Sequence, residues 1–192
     1  MSGVVVGPDG LARCAWGAST PEYAAYHDEE WGRPVHGETA LYERITLEAF
    51  QSGLAWITIL RKRGGFRAAF SGFDAEAVAA FGPDEHAALM ADTGIVRNAR
   101  KVDAAIANAR AVVALREQGG LDALVWSHAP TEHTPPRTSA ELRATSAESV
   151  ALAKALKAAG LVLVGPTTMY AAMQACGLVD DHLVCCHRSG SP

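Results

Sequence analysis

Candidate metal ligands lie near both ends of this sequence. Cys14 and His27 lie near its start, and His182 and Cys186 lie near its end. His182 and Cys186 are four residues apart, so one helical turn would place both on the same face. A structural zinc ion favours four Cys and His ligands, and a site built from these residues would tie the two ends of the chain together. The alternative is that the thiols are unrelated buried residues, because free cysteine is often buried, and that the histidines are ordinary polar residues.

The composition is that of a globular protein. With 192 residues, of which 49% are hydrophobic, the chain can bury a sizeable core. No apolar run approaches the roughly 18 residues of a membrane span, and the first residues lack the basic region of a secretory signal. The four cysteines, two of them adjacent, do not resemble a secreted disulfide framework. We therefore expect one domain over 1–192, or two closely packed helical lobes, in the cytoplasm with reduced thiols.

The charge distribution is uneven. A net charge of −4 argues against a generic nucleic-acid coat protein. Residues 61–101 carry seven basic and five acidic side chains, which leaves this segment at +2 and the remainder at −6. A local basic face is compatible with docking on phosphates, although a solvated surface is the commoner explanation of such a cluster.

Helical periodicity dominates and strand signals are scarce, so the sequence predicts an all-α fold. Residues 127–144, rich in Pro, Thr, Ser and His, predict an extended loop, and 161–164 could be extended. Thr145 and Glu148 form a candidate capping box. Helices are expected over 21–31, 39–52, 56–63, 65–70, 74–80, 83–92, 98–118, 145–159 and 166–176.

Glu48 lies on the apolar face of the helix expected over 39–52. At 100° per residue it falls about 20° from Leu41, within the stripe that also contains Ile45 and Ala49. A carboxylate in that position is either buried with a hydrogen-bond donor or lines a pocket. The structural alternatives are a helix cap and a pair with an arginine.

Aromatic residues cluster in the first third of the chain. The 3–4 spacing of one helical face connects Tyr23, Tyr26 or His27, Glu30 and Trp31. Trp16 and Trp56 also lie in this part of the sequence. Most such stripes are core residues. Aromatic faces around one carboxylate also suit a planar, electron-poor heterocycle, which needs stacking and hydrogen bonding.

A possible helix-hairpin-helix spans residues 89–101. One helix ends, Gly94 breaks it, Ile95 and Val96 turn the corner, and a second helix begins. The turn of such a motif directs backbone N–H groups at a DNA phosphate. Arg97, Arg100 and Lys101 follow directly and favour a DNA-binding interpretation.

Over about residues 12–187 the sequence resembles the type I 3-methyladenine DNA glycosylases. The resemblance rests on several long stretches in one order, which makes it highly specific. These are Arg13-Cys14-Ala15-Trp16, Tyr26-His27-Asp28-Glu29-Glu30-Trp31-Gly32, Leu47-Glu48, Gln51-Ser52-Gly53-Leu54-Ala55-Trp56-Ile57-Thr58, Gly94-Ile95-Val96-Arg97-Asn98 and Met173-Gln174-Ala175-Cys176-Gly177-Leu178-Val179-Asp180-Asp181-His182.

The resemblance implies a helix-hairpin-helix glycosylase fold with one structural zinc joining the two terminal segments. It implies a monomeric, monofunctional repair enzyme that binds double-stranded alkylated DNA, flips out the cationic lesion and hydrolyses its N-glycosidic bond to release 3-methyladenine. The residues carried over by position are Cys14, His27, His182 and Cys186 as zinc ligands; Glu48 as the catalytic residue and acceptor for the base; Tyr23, Tyr26 and Trp56 as the rest of the base pocket; and Gln51, Gly53, Leu54, Gly94, Ile95, Arg97 and Lys101 as DNA-binding residues.

The expected mechanism depends mainly on binding. Glycosylases of this superfamily commonly place an Asp about twenty residues beyond the hairpin, but Glu117 is the only acid in 110–118. No lysine lies there either, which argues against a Schiff-base mechanism. Because N3-methylation makes adenine a good leaving group, pocket recognition could suffice. Two alternatives are a non-enzymatic damage-binding module and a zinc hydrolase that uses His27 with Asp28 or Glu30.

Overall fold

A computed structural model of the protein describes residues 3–190. Most of these residues are helical, with short 3-10 turns at Ser71–Phe73, Arg116–Gln118 and Ser139–Glu141. The elements in chain order are β1 (Val4–Val6), β2 (Ala12–Cys14), α1 (Pro21–Glu29), α2 (Glu38–Gln51), α3 (Trp56–Ala69), α4 (Ala75–Ala79), α5 (Pro83–Ala91), α6 (Ala99–Leu115), α7 (Gly120–Trp126), α8 (Ala147–Ala158) and α9 (Pro166–Ala175).

The expectation of an all-α fold needs one correction, because the chain begins with a β-hairpin. Strands β1 and β2 are antiparallel, with Val4 opposite Cys14. The turn between them closes through hydrogen bonds from Gly10 N to Gly7 O (3.0 Å) and from Leu11 N to the Asp9 carboxylate (3.1 Å). Three-residue strands are too short to produce a period-2 pattern. The hairpin matters for function because it carries Cys14.

Side-chain caps mark the starts of four helices of the described chain. The side-chain oxygens of Thr20, Asp74 and Asn98 accept backbone N–H groups at the first turns of α1, α4 and α6. At α8 the capping box joins Ser146 and Ser149, not the predicted Thr145 and Glu148. The predicted loop over 127–144 is confirmed apart from one 3-10 turn. Residues 161–164 are irregular, and α7 was not expected.

Helix α3 runs through Gly64 and Gly65, so the predicted division into 56–63 and 65–70 is wrong. At Gly65 the helix passes very close to the turn between α5 and α6. A Cβ atom there would lie 2.5 Å from the Gly94 carbonyl oxygen. Glycine at position 65 therefore permits close packing, and the Lys62 ammonium adds a hydrogen bond to Thr93 O at 2.6 Å. These contacts fix the position of the α5–α6 turn.

Helix α2 is internal, as its nearly uniform apolar sequence predicts. Nine of its residues are buried, and it packs against α3, α6, α7 and α9. Phe50 on α2 lies edge-on to Phe66 at 4.7 Å between ring centroids. Phe50 lies on the opposite side of α2 from Glu48, and both residues are buried. None of the helices between residues 3 and 190 combines the length and apolar composition of a membrane span.

Candidate active site and metal centre

The four candidate metal ligands form one buried group, here called the Cys/His cluster (Cys14, His27, His182 and Cys186). One donor atom from each residue lies within 4.8 Å of the other three. The Cys186 Sγ atom lies 3.4 Å from His27 Nε2 and 3.7 Å from His182 Nδ1. With zinc–sulfur and zinc–nitrogen bonds of normal length, the S···N edge of a tetrahedron is about 3.6 Å. The donor set and its spacing therefore fit a four-coordinate zinc ion.

Three separate segments supply the Cys/His cluster. Strand β2 carries Cys14, α1 carries His27, and the segment after α9 carries His182 and Cys186. The predicted helical turn over 182–186 is wrong, because this segment is an irregular turn in which Cys186 N donates to Leu183 O. The helix ends at Ala175, and the Asp180 carboxylate then accepts the backbone N–H of His182 at 3.1 Å. The turn still brings both side chains together.

Hydrogen bonds to the second ring nitrogen orient both histidines. His27 Nδ1 lies 2.7 Å from the Asp28 carboxylate, and His182 Nε2 lies 3.1 Å from the Trp31 carbonyl oxygen. These contacts leave His27 Nε2 and His182 Nδ1 directed at the cluster, as in metal sites whose histidine ligands are held by a second layer of acceptors. Cys186 is buried and Cys185 is exposed, so Cys186 is the one in position to bind the ion.

The sulfur atoms also receive hydrogen bonds. Leu183 N donates to Cys14 Sγ and Arg188 N donates to Cys186 Sγ, both at 3.4 Å. A hydrogen bond with Cys14, followed by those with His182 and His27, lowers the pKa of Cys186. The arrangement thus favours a thiolate at Cys186, and thiolate is the form that binds metal.

A cavity of about 520 Å³ adjoins the Cys/His cluster. Five aromatic side chains line this aromatic pocket, and Tyr26 and Trp56 stand 5.5 Å apart with ring planes inclined at 43°. The pocket is large enough for a single heterocyclic base. Its lining includes Trp16, Tyr23, Tyr26, Trp31, Trp56, Glu48, Gln51, Cys14, Ala15, Leu142, Gln174, Asp181 and Leu183.

Glu48 is one of two buried acids that line the aromatic pocket, and Asp181 is the other. Glu48 is 6% exposed, and within the described residues its carboxyl group makes neither a hydrogen bond nor an ion pair. Burial raises the pKa of Glu48 to about 8, and the positive charge of Arg44 opposes this rise. Glu48 is therefore largely uncharged in the empty pocket at neutral pH. A cationic ligand would favour its ionised form.

The structural alternative for Glu48, a pair with an arginine, is not realised. Arg44, one turn away, donates to Glu30 at 2.8 Å, and Arg63 donates to the same carboxylate at 2.7 Å. Burial raises the pKa of Glu30, but the two arginines outweigh it and lower this pKa to about 2. Glu30 is thus an ionised partner of two cations. Its engagement also argues against its use as a catalytic metal ligand.

Comparison with known proteins identifies the family. A family model described as methyladenine glycosylase matches residues 16–189. The chain belongs to the methyladenine glycosylase family. It is 43% identical to DNA-3-methyladenine glycosylase 1 of Escherichia coli (strain K12) over 189 residues, which covers 95% of this chain and 100% of that protein. It is 40% identical to DNA-3-methyladenine glycosylase of Haemophilus influenzae, with 91% and 96% covered.

A solved structure agrees with this assignment. The fold is similar to that of 3-methyladenine DNA glycosylase I from Staphylococcus aureus, with a TM-score of 0.88, 29% identity and coverage of 94% of this chain and 97% of that one. That structure was described for its recognition of 3-methyladenine. This methyladenine glycosylase family member therefore shares both sequence and overall fold with its relatives.

In this family member the predicted DNA-probing residues lie at the edge of the aromatic pocket. Gln51 lines the pocket and donates to Leu54 O at 2.9 Å, which closes a turn between α2 and α3. Gly53, with a φ of 81°, allows this turn. Gly53 and Leu54 are exposed, so the turn projects from the surface beside the pocket.

The predicted hairpin residues have different surroundings. Arg97 is exposed and Gly94 lies in the turn between α5 and α6. The Ile95 side chain is 2% exposed and packs in the core, so it can offer DNA only its backbone. The Lys101 ammonium donates to the carbonyl oxygens of Phe50 and Ser52 at 2.8 and 2.7 Å. Lys101 therefore also holds the C-terminal end of α2.

Sequence reasoning missed one wall of the aromatic pocket in this glycosylase family member. Asp181 accepts hydrogen bonds from the Tyr170 hydroxyl (2.8 Å) and the Gln174 amide (2.6 Å). His133, in the loop over 127–144, lies 3.1 Å from its other oxygen. The sequence signal for Gln174 and Asp181 was their place in 173–182, one of the stretches that resemble the family. Leu142, in the loop over 127–144, had no such signal.

Proposed function

We propose that this protein hydrolyses the N-glycosidic bond between 3-methyladenine and deoxyribose in alkylated DNA, as a monofunctional glycosylase. The observation that carries the proposal is the buried, unpaired carboxyl group of Glu48 among aromatic rings. Family membership and the names of the relatives support the same reaction.

Recognition of the base depends on its shape and charge. The rings of Trp56 and Tyr26 offer faces for stacking of a planar base. Glu48 accepts hydrogen bonds from the amino group and ring edge of 3-methyladenine. The positive charge of the methylated base favours the ionised carboxylate, so the interaction strengthens as the cation enters. Neutral adenine offers no such charge, and this difference supplies specificity.

The chemical step needs little help from the protein. The lesion flips out of the duplex because its pairing is weak, and the bond from the sugar to the base then breaks. Its electron pair moves to the base and cancels the positive charge, while water adds to the sugar carbon and releases a proton to solvent. Glu117, the only acid in 110–118, is exposed, so it is not a candidate for assisting this step. Binding in the aromatic pocket therefore does most of the catalytic work.

The same proposal assigns the DNA-facing residues. Gln51, Gly53 and Leu54 fill the gap that the flipped nucleotide leaves in the duplex. Residues 94–101 hold the DNA backbone, through Arg97, Lys101 and the N–H group of Ile95. Gly94 shapes the turn, because its own N–H donates to the Asp92 carboxylate at 2.6 Å. We infer that 1–192 acts as a single-domain monomer in the cytoplasm.

We infer that one structural zinc ion is held by Cys14, His27, His182 and Cys186. The support is the buried donor set, its near-tetrahedral spacing and the acceptors that orient both histidines. When bound, the ion would hold β2, α1 and the segment after α9 together. Four protein ligands leave no open position for a catalytic water.

The test is release of bases from methylated DNA, analysed by chromatography. The wild-type protein should release 3-methyladenine, and Glu48→Gln should release it much more slowly at equal DNA binding. A protein that retains methylated DNA without releasing any base would be a damage-binding module, and the proposal would be wrong. Full activity of Glu48→Gln would leave the enzyme assignment intact but remove the role of Glu48.

A further inference from the structure

The two acids that line the aromatic pocket have opposite surroundings. Glu48 makes no hydrogen bond within the described residues, whereas Asp181, which is 4% exposed, is surrounded by donors. Asp181 Oδ2 accepts hydrogen bonds from the Tyr170 hydroxyl at 2.8 Å and from the Gln174 side-chain amide at 2.6 Å. Its Oδ1 lies 3.1 Å from His133 Nε2. Asp181 therefore acts on a ligand through the groups that it holds.

The donors around Asp181 keep their protons. His133 Nε2 lies 2.9 Å from the Asp180 carbonyl oxygen as well as close to the Asp181 carboxylate. Because both neighbours are acceptors, this nitrogen carries a proton. Burial, followed by the hydrogen bond to Asp181, raises the pKa of Tyr170, so its hydroxyl stays protonated and donates. Donors from α9 and from the loop over 127–144 thus hold the Asp181 carboxylate in one position.

The Asp181 carboxylate determines which way the Gln174 amide faces. One edge of an amide group donates and the other accepts, and only the donating edge can approach a carboxylate oxygen at 2.6 Å. The reversed amide would place two acceptors in contact. The Gln174 carbonyl oxygen consequently lies on the side of the amide away from Asp181. Within the described residues this oxygen accepts no hydrogen bond.

Gln174 lies in the same pocket as Glu48. Its side chain is partly exposed and lines the aromatic pocket, and its helix, α9, packs directly against α2. Burial raises the pKa of Cys176 to about 12, and the charge of Glu48 adds to this rise while that of Arg44 opposes it. The C-terminal end of α9 is therefore close to Glu48. The pocket thus offers two acceptors, on neighbouring helices.

The two acceptors differ in what they can exclude. Glu48 is largely protonated in the empty pocket, and a protonated carboxyl group can donate as well as accept. Glu48 alone would therefore also accommodate a base with a carbonyl oxygen at its edge. The Gln174 oxygen can only accept, because Asp181 fixes the amide. It would leave such a carbonyl oxygen without a donor, which is costly in a desolvated pocket.

We propose that Gln174 is a specificity-determining residue, whose carbonyl oxygen accepts an N–H of the amino group at C6 of 3-methyladenine, and that Asp181 positions it. This inference rests on the proposed function, in which Glu48 uses the other amino N–H and the ring edge. Gln174 thereby selects 3-methylated purines with an amino group at C6 over those with an oxygen there.

The test compares the affinities of zinc-saturated protein for free 3-methyladenine and free 3-methylhypoxanthine, which has an oxygen in place of the amino group. Calorimetric titration, with competition for weak binding, measures both. The wild type should prefer 3-methyladenine. Gln174→Met keeps the length of the side chain but removes the acceptor. It should lower this preference roughly 2- to 10-fold, the effect of one hydrogen bond, by weakening 3-methyladenine binding alone.

Asp181→Asn tests the positioning role. Asparagine can present either an oxygen or an NH2 group, so the Gln174 amide can turn, and the preference for 3-methyladenine should fall by a similar factor. His133→Gln is the matched control, because His133 also contacts Asp181 but neither contacts Gln174 nor lines the aromatic pocket. It should keep the wild-type ratio of affinities, even where both bases bind more weakly. Zinc content and circular dichroism check each variant.

A loss of structure lowers both affinities together, whereas the proposal requires their ratio to change. A Gln174→Met variant with the wild-type ratio, or a wild type without the preference, would overturn it. If Gln174→Met does not fold, Asp181→Asn decides, and an equal ratio in Asp181→Asn and His133→Gln would overturn the proposal.

Base release from methylated DNA separates this inference from the proposed function. A wild type that shows the expected preference but releases no base would keep Gln174 as a specificity residue and lose the glycosylase assignment. Release of 3-methyladenine together with an unchanged ratio in both pocket variants would remove only the role of Gln174.

Discussion

Tyr26 and His27 are consecutive residues of α1, and their side chains serve two adjoining sites. Tyr26 lines the aromatic pocket, while His27 belongs to the Cys/His cluster. Cys14 and Leu183 line the pocket as well, beside the metal-binding positions. The pocket and the Cys/His cluster thus share a wall. Removal of a zinc ion bound by the cluster should consequently loosen the surface that holds the base.

Exchange of single cysteines should distinguish the metal ligand from its neighbour. Cys186→Ser should lose zinc and lower the melting temperature by roughly 10 °C, because metal binding contributes several kcal/mol to folding. Cys185→Ser should keep one zinc per chain, since Cys185 is exposed. Elemental analysis and calorimetry measure both quantities. Equal zinc content in the two variants would contradict the assigned ligand set.

Asp28→Asn should weaken zinc binding by roughly 10- to 100-fold, because the Asp28 carboxylate orients His27 at 2.7 Å. Burial raises the pKa of Asp28, but hydrogen bonds from Arg13, His27 and His187 outweigh this and lower it well below its usual range, so the carboxylate is ionised. Competition with a chromophoric chelator gives the affinity. Asp9→Asn is the control, since Asp9 also binds Arg13 but contacts no histidine. Equal zinc affinities in both variants would exclude a role for Asp28 in positioning His27.

The Glu48→Gln substitution should make the ligand-free protein more stable than the wild type, by an amount that grows as the pH rises. The folded pKa of Glu48 is about 8 and its ordinary value is 4.5. Between these values the folded state holds a proton that the unfolded state has lost, so wild-type stability falls as the pH rises through this window. Glutamine removes that loss, and the difference in unfolding free energy should reach on the order of 1–3 kcal/mol near pH 8.

Urea unfolding of zinc-saturated protein from pH 5 to 9 measures this difference. The matched control is Glu117→Gln, because Glu117 is exposed. A Glu48→Gln variant whose stability runs parallel to that of the wild type at every pH would show that Glu48 is ionised in the empty pocket.

Trp56→Ala should weaken binding of free 3-methyladenine by about 1–3 kcal/mol, the usual contribution of one aromatic platform under a base. Trp126→Ala is the control, because Trp126 stacks on His36 at 4.4 Å and does not line the aromatic pocket. Calorimetric titration measures the affinities, and circular dichroism checks the folding of both variants. Equal losses of affinity would argue against stacking on Trp56.

Several features of the site could be predicted because they depend on local pattern. A helical period of 3.6 residues places Glu48 on the inward face of α2 whatever surrounds that helix. The same periodicity places Tyr23 and Tyr26 on one face of α1, and both line the aromatic pocket. Caps such as Thr20 and Asn98 act within a few residues. These features could therefore be predicted from the sequence without knowledge of how the helices pack.

Other predictions failed where long-range contacts decide the conformation. A helix was predicted to end at residue 63, yet α3 continues through Gly64 and Gly65, and Gly94 of the α5–α6 turn packs against Gly65. His182 and Cys186 have helical spacing, but their segment is a turn whose geometry brings them to Cys14 and His27. The physical reason is that sequence spacing limits which conformations are possible, and tertiary packing selects among them.

The sequence by itself determined which chemical groups are present: two thiols, two imidazoles, one carboxyl group on an apolar face and the aromatic rings near it. Only the tertiary structure decided which of them meet. It brought Asp181 and Leu142 to the wall of the aromatic pocket that also contains Gln174. Such contacts join residues that are far apart in the chain. They form only when burial of the core fixes the helices against one another.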